Sequence, residues 1–113
     1  MTTDQPAALP RYPATTDATI RVSPGGPGVI RVEVRGEIDV SNAADLAAAL
    51  SEAAQARPER LEVDLSGVTF LGCAGVHALR AAQRTTPSLV VVDACDAARR
   101  LLSIAGLPLS PPR

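Results

Sequence analysis

Between Val29 and Arg35 apolar and polar residues alternate strictly. Ile30, Val32 and Val34 fall on one side and Arg31, Glu33 and Arg35 on the other, which predicts a strand with one face buried. Thr19 to Val22 predicts a shorter strand before it. The turn between them, Ser23-Pro24-Gly25-Gly26-Pro27-Gly28, makes the two a hairpin. After Gly36-Glu37-Ile38-Asp39-Val40 the period changes. Ser41 or Asn42 is placed to cap a helix running to about Gln55, with Ala43, Leu46, Ala47, Leu50 and Ala54 on one face. Arg57-Pro58-Glu59 ends it. Leu61, Val63 and Leu65 form the next strand, and a helix between two strands predicts a parallel pair with a right-handed crossover.

The most informative stretch follows. The strand runs into a turn at Ser66-Gly67 and a second apolar stretch, Val68 to Leu71. Then Gly72-Cys73-Ala74-Gly75 opens a helix. Side chains this small leave the backbone N–H groups of the helix start uncovered, marking a place of close approach. Val76, Leu79 and Ala82 or Gln83 continue this helix inward, while His77, Arg80 and Arg84 fall on a solvent-facing stripe. Thr85-Thr86-Pro87 stops it. Leu89 to Val92 is continuously apolar, the pattern of a strand covered on both faces. Asp96 is placed to cap a last helix with Ala98, Leu101, Leu102 and Ala105 inward, closed by Gly106 and Pro108. The order is ββαβαβα, an α/β domain with a four-strand mixed sheet and helices packed against it. Residues 1–16 read as a loose tail, 17–107 as the domain and 108–113 as a short C-terminal tail.

Composition narrows the chemistry. At 113 residues the chain has the size of one domain, and a domain of this size buries roughly two-thirds of its unfolded surface. Hydrophobic residues are 46% and charged residues 20%, a globular balance. Aromatics are only 2%, which leaves no stacking platform for single-stranded nucleic acid. A net charge of −1 draws the molecule to neither nucleic acid nor anionic lipid. All 11 basic residues are Arg, which with the many Ala fits a GC-rich bacterial genome. Cys73 and Cys95 lie far apart with no C-x-x-C spacing, so free thiols in a reducing cytosol are expected. The N-terminus has no apolar signal region, and no apolar run approaches the ~18–20 residues of a membrane span. The expectation is a cytoplasmic protein without direct membrane insertion.

Gly72-Cys73-Ala74-Gly75 lacks the Lys and spacing of a phosphate-binding P-loop. No nucleophile–base pair or metal-ligand cluster accompanies it, so neither enzyme, metal nor cofactor is expected. Cys73 is either a small residue that fits its position or a thiol activated by the helix start. His77, at i+4, is a solvated residue or a partner for that thiol. Arg80 and Arg84 serve solubility or an acidic partner. Cys95 is expected to be a buried, inert thiol. Asp39 is a turn residue or a partner contact.

Three stretches resemble the STAS family (sulphate transporter and anti-sigma antagonist). Gly36-Glu37-Ile38-Asp39 before a capped helix is similar to its G-E-[LI]-D signature. Asp64-Leu65-Ser66-Gly67-Val68-Thr69-Phe70-Leu71 is similar to the strand and turn before its regulatory motif. Ala98 to Leu107 is similar to its last helix, which ends in Gly-Leu. The resemblance covers roughly residues 18–107. It implies a STAS-like domain and an anti-sigma factor antagonist, a module that docks an anti-sigma factor, often a GHKL-type serine kinase. Family members are switched by phosphorylation of a Ser in Asp-Ser-[Ser/Thr]-Gly at the second helix. Here those positions are Gly72, Cys73, Ala74 and Gly75, so only the glycine is kept and the phosphorylation motif is degenerate. The resemblance makes Asp39, Gly72, Cys73, Ala74, Gly75, Val76, His77 and Arg80 the expected partner-binding residues. Two alternatives stand beside it: a STAS subunit of a lipid or anion transport system, and a Cys73-based redox regulator.

Overall fold

The computed structural model describes residues 18–110, so the tail expected over 1–16 lies outside the described residues. Strand β1 (Thr19–Gly26) pairs antiparallel with β2 (Val29–Ile38). Both are longer than the alternation predicts. Ser23 and Pro24 still pair with Arg31 and Ile30, and Pro24 is tolerated because β1 is an edge strand. Gly36, at φ +95°, lets β2 pass a register shift and run on to Ile38.

Helix α1 (Ala43–Gln55) starts at Asn42, whose side chain makes no cap hydrogen bond. Asn42 is fully buried and ties the entry loop instead. Its Oδ1 accepts from the Asp39 N–H at 2.9 Å and its Nδ2 donates to the Glu37 carbonyl at 2.9 Å. The inward face is Leu46, Ala49, Leu50 and Ala53, not the expected set, and Ala47 is exposed. Alanines surround this helix, so only the two leucines constrained the phase. The helix closes with Arg57 in the left-handed region at φ +53°. A side chain there costs about 1 kcal/mol. Arg57→Gly is expected to raise stability by up to about 1 kcal/mol in urea denaturation.

Strand β3 (Arg60–Leu71) runs parallel to β2 and to β4 (Leu89–Ala94), with α2 (Cys73–Thr85) between β3 and β4 and α3 (Asp96–Ile104) last. Ser66-Gly67 is not the expected turn. The strand continues through it as an irregularity in the β2 ladder, between the Glu33↔Asp64 and Arg35↔Gly67 pairs. Spatial order equals chain order, β1-β2-β3-β4. Successive right-handed crossovers in one direction put the helices on one face of the sheet. There Val32, Val34, Leu61, Val63, Leu65 and Val91 meet Leu46, Leu50, Leu79 and Leu102 in the core.

The opposite face is polar, and Val90 and Val92 on it are only half-buried, against the expectation of a strand covered on both sides. Arg31 bridges Glu62 (3.1 Å) and Asp64 (2.7 Å), and Arg60 reaches Glu62 at 2.8 Å. Burial alone would push the Asp64 carboxyl up. The Ser66 N–H and hydroxyl and the Arg31 guanidinium outweigh it and hold Asp64 below its usual value. A folded value below the unfolded one contributes stability above the ordinary carboxylate value, about 3.9, and loses it as pH falls through the lowered value. Asp64→Asn should therefore cost about 1 kcal/mol at pH 7, discounted for the partly exposed Arg31. The gap from wild type should shrink at pH 2–3 in denaturant titrations (a range set by the ordinary value of about 3.9).

Residues 108–110, read as part of a tail, lie along β4. The Val91 N–H donates to the Pro108 carbonyl (3.0 Å), the Ser110 N–H donates to the Val91 carbonyl (2.9 Å), and Leu109 pairs in parallel with Val91. Arg99 Nη2 holds the Ser110 carbonyl at 2.8 Å.

Candidate docking site at the start of helix α2

The carboxyl ends of β2 and β3 position the start of α2. The Gly72 N–H donates to the Ile38 carbonyl at 2.8 Å, fixing the end of β3 to the end of β2. Gly72 is the N-cap in extended backbone, and its carbonyl accepts from Gly75 (3.0 Å) and Val76 (3.2 Å). No side chain caps the helix start.

The two glycines serve different ends. A Cβ at Gly75 would stand 2.7 Å from both Ile38 Cγ2 and Leu71 Cδ1, closer than carbon atoms pack. A Cβ at Gly72 would meet Phe70 Cε2 at 3.3 Å and the Ile38 carbonyl oxygen at 3.4 Å, tight but not excluded. Gly75 thus brings α2 down onto the sheet. Gly75 and Val76, both among the expected partner-binding residues, are buried and pack toward the core. Cys73, His77 and Arg80 are exposed, and Gly72, Ala74 and Asp39 are partly so. Among the described residues no hydrogen bond joins Cys73 to His77, and no group of three potential metal ligands occurs.

Asp39 acts locally. Its Oδ1 accepts from the Ser41 hydroxyl (2.6 Å) and the Ser41 N–H (2.9 Å), and these bonds hold its carboxyl below the usual value. This is the turn-forming role weighed for it, met in an Asx turn.

Three features escaped the sequence reading. Val40, in the β2–α1 turn, is 85% exposed, and Phe70 is 55% exposed beside Gly72. Phe70 looked like part of an apolar stretch. The register shift that sets Phe70 against Glu37, directly after Val68 against Gly36, turns its ring outward. Cys95 is exposed rather than buried, because β4 ends at Ala94 and Cys95 becomes the N-cap of α3.

The chain is thus a mixed-sheet α/β module with its helices on one face and an exposed helix start beside the outward ring of Phe70. The family model described as "Mlab, STAS domain" matches residues 25–108, and the chain belongs to the STAS domain family. The anti-sigma-F factor antagonist RsfB of Mycobacterium tuberculosis is 36% identical over 83 residues, covering 71% of this chain and 68% of RsfB. The crystal structure of an anti-sigma factor antagonist from Mycobacterium paratuberculosis superposes with a TM-score of 0.74 at 33% identity, covering 85% of this chain and 87% of that one. The anti-sigma factor antagonist SpoIIAA, in its unphosphorylated form, shares the fold with a TM-score of 0.67 at 13% identity, covering 83% of this chain and 89% of SpoIIAA. Among the described residues no helix is long and apolar enough to cross a membrane.

Proposed function

We propose that this domain is a cytoplasmic anti-sigma factor antagonist that works by docking, without catalysis of its own. The partner in this reading is an anti-sigma factor of the GHKL serine-kinase type. The contact surface is the exposed start of α2, with Cys73, Ala74, His77 and Arg80, extended by Asp39 and Gly72. One observation carries most weight: this uncapped, outward-facing helix start lies in a chain whose mycobacterial relatives bear the name of anti-sigma factor antagonists. Cys73 stands where a phosphorylated Ser would, and a thiol is no substrate for a serine kinase. The reading therefore includes docking that the usual phosphorylation does not interrupt.

Calorimetric titration against the anti-sigma factors encoded in the same genome tests it. Saturable binding to one of them is expected. If none binds while a transport ATPase from that genome does, the transport-subunit reading replaces this one. A second expectation concerns the lost switch. The double variant Gly72→Asp, Cys73→Ser restores the acidic residue and the hydroxyl at an exposed helix start, so a cognate kinase should label it with radioactive phosphate and leave the parent chain unlabelled. Equal absence of label in both would mean that the surface does not sit in the kinase's reach.

A further inference from the structure

β3 outruns its neighbour. Its pairing with β4 stops at Leu65↔Ala94, where the chain leaves the sheet for α3, while its pairing with β2 continues to Ile38↔Leu71. Along Ser66–Leu71 β3 is therefore an edge on the side away from β2. Among the described residues no strand covers that side; the Ser66 N–H is taken by Asp64 Oδ1 at 2.9 Å, and Gly67–Leu71 make no backbone–backbone hydrogen bond outside the sheet ladder. A groove of about 200 Å³ follows the same edge. Val68–Leu71 form one wall, and Cys95 at the N-cap of α3 with Ala97 and Leu101 on the helix form the other. All four of these strand residues reach the groove across the register irregularity that breaks their alternation.

These two facts together select an occupant. Unpaired strand N–H and C=O groups are satisfied by an extended backbone, whereas a helix has already spent its own. The mainly apolar lining suits a chain with apolar side chains. The irregular β2–β3 ladder beside it confines regular pairing to about three or four residues. We infer that Ser66–Leu71 takes an extended apolar segment of a partner protein as an added strand, held by main-chain hydrogen bonds, with its alternate side chains against Val68 and Leu101. Phe70 packs beside Gly72, so the added strand would continue onto the α2 start. The inference does not depend on the partner being an anti-sigma factor.

The test uses the full chain and a random nonapeptide display library. Enriched sequences should alternate apolar residues. A synthetic representative should shift the amide resonances of Ser66–Leu71 on binding. Methylating its alternate backbone nitrogens, which removes donors and keeps side chains, should weaken binding at least tenfold for one of the two phases. Ala97→Glu, exposed in the first turn of α3 where an acid favours the helix, should block the groove and weaken binding at least tenfold. Ala47→Glu on the exposed face of α1 should change nothing, and circular dichroism should show both variants folded. No enrichment over the bare support, binding indifferent to N-methylation in both phases, or binding that survives Ala97→Glu in a folded protein would each overturn the inference.

Discussion

Gly75→Val should leave the domain largely unfolded or shift its thermal midpoint down by ten degrees or more, a drop that corresponds to roughly 2–3 kcal/mol in a domain of this size. The first carbon of any side chain at this position stands 2.7 Å from Ile38 Cγ2 and from Leu71 Cδ1. Ile38 is fully buried and Leu71 nearly so, so neither has open space to move into. Overpacking of this kind costs about 1–3 kcal/mol for the first groups added, and the branched valine adds two further methyls. Gly75→Ala sets the same clash against a helix-propensity gain of about 1 kcal/mol, and a smaller net loss is expected. Thermal melts followed by circular dichroism decide the matter. A valine variant that melts with the wild type would mean that α2 does not lie on the sheet at this distance. The same geometry makes any large substitution at Gly75 a poor probe of docking, because it removes the fold along with the surface.

Cys73→Glu is expected to do the reverse, leaving the fold intact and weakening partner binding by at least about 30-fold, or 2 kcal/mol. Cys73 is exposed at the first position of α2, where an acidic side chain interacts favourably with the uncapped N–H groups and adds about 0.3–1 kcal/mol to stability. A partner that seats against this start, between Phe70 and His77, would have to desolvate the new carboxylate. Cys73→Ala, which keeps the size and lacks the charge, should bind as the parent does. The measurement is a titration of both variants against whichever anti-sigma factor the parent chain is found to bind, with a melt of each. Undiminished binding by a folded Cys73→Glu protein would remove the α2 start from the contact surface.

The parts of this molecule that were legible beforehand are those where a period is imposed by a strongly apolar residue. The Ile30–Val34 alternation, Leu61–Leu65 and the Val76–Leu79 stripe stand as their periodicity predicts, with Val32, Val34 and Leu79 fully buried. The inward face of α1 was misplaced because alanine carries too little apolar area to mark a side. The outward Phe70 and the exposed Cys95 were hidden for a different reason. Each depends on where a strand shifts register or stops relative to its neighbour, and that is set between strands, not along one. The two glycines at the α2 start looked equivalent in sequence. Their roles separate only when Ile38 and Leu71, distant from one another along the chain, are brought to either side of Gly75.

The identity of spatial and chain order in the sheet has a bearing on how the protein is made. Each new helix–strand unit adds to the strand that precedes it, so no late segment must insert between two early ones. The longest strand pairing, β2 with β3, needs only α1 to intervene. A chain emerging from the ribosome can complete the hairpin, then β3, then β4 in the order of synthesis, each step closing a short loop. Contacts of this locality favour folding faster than sheets of comparable size with distant pairings. The pairing of Leu109 along Val91 can form only after α3 is made, so until then the outer edge of β4 stands open.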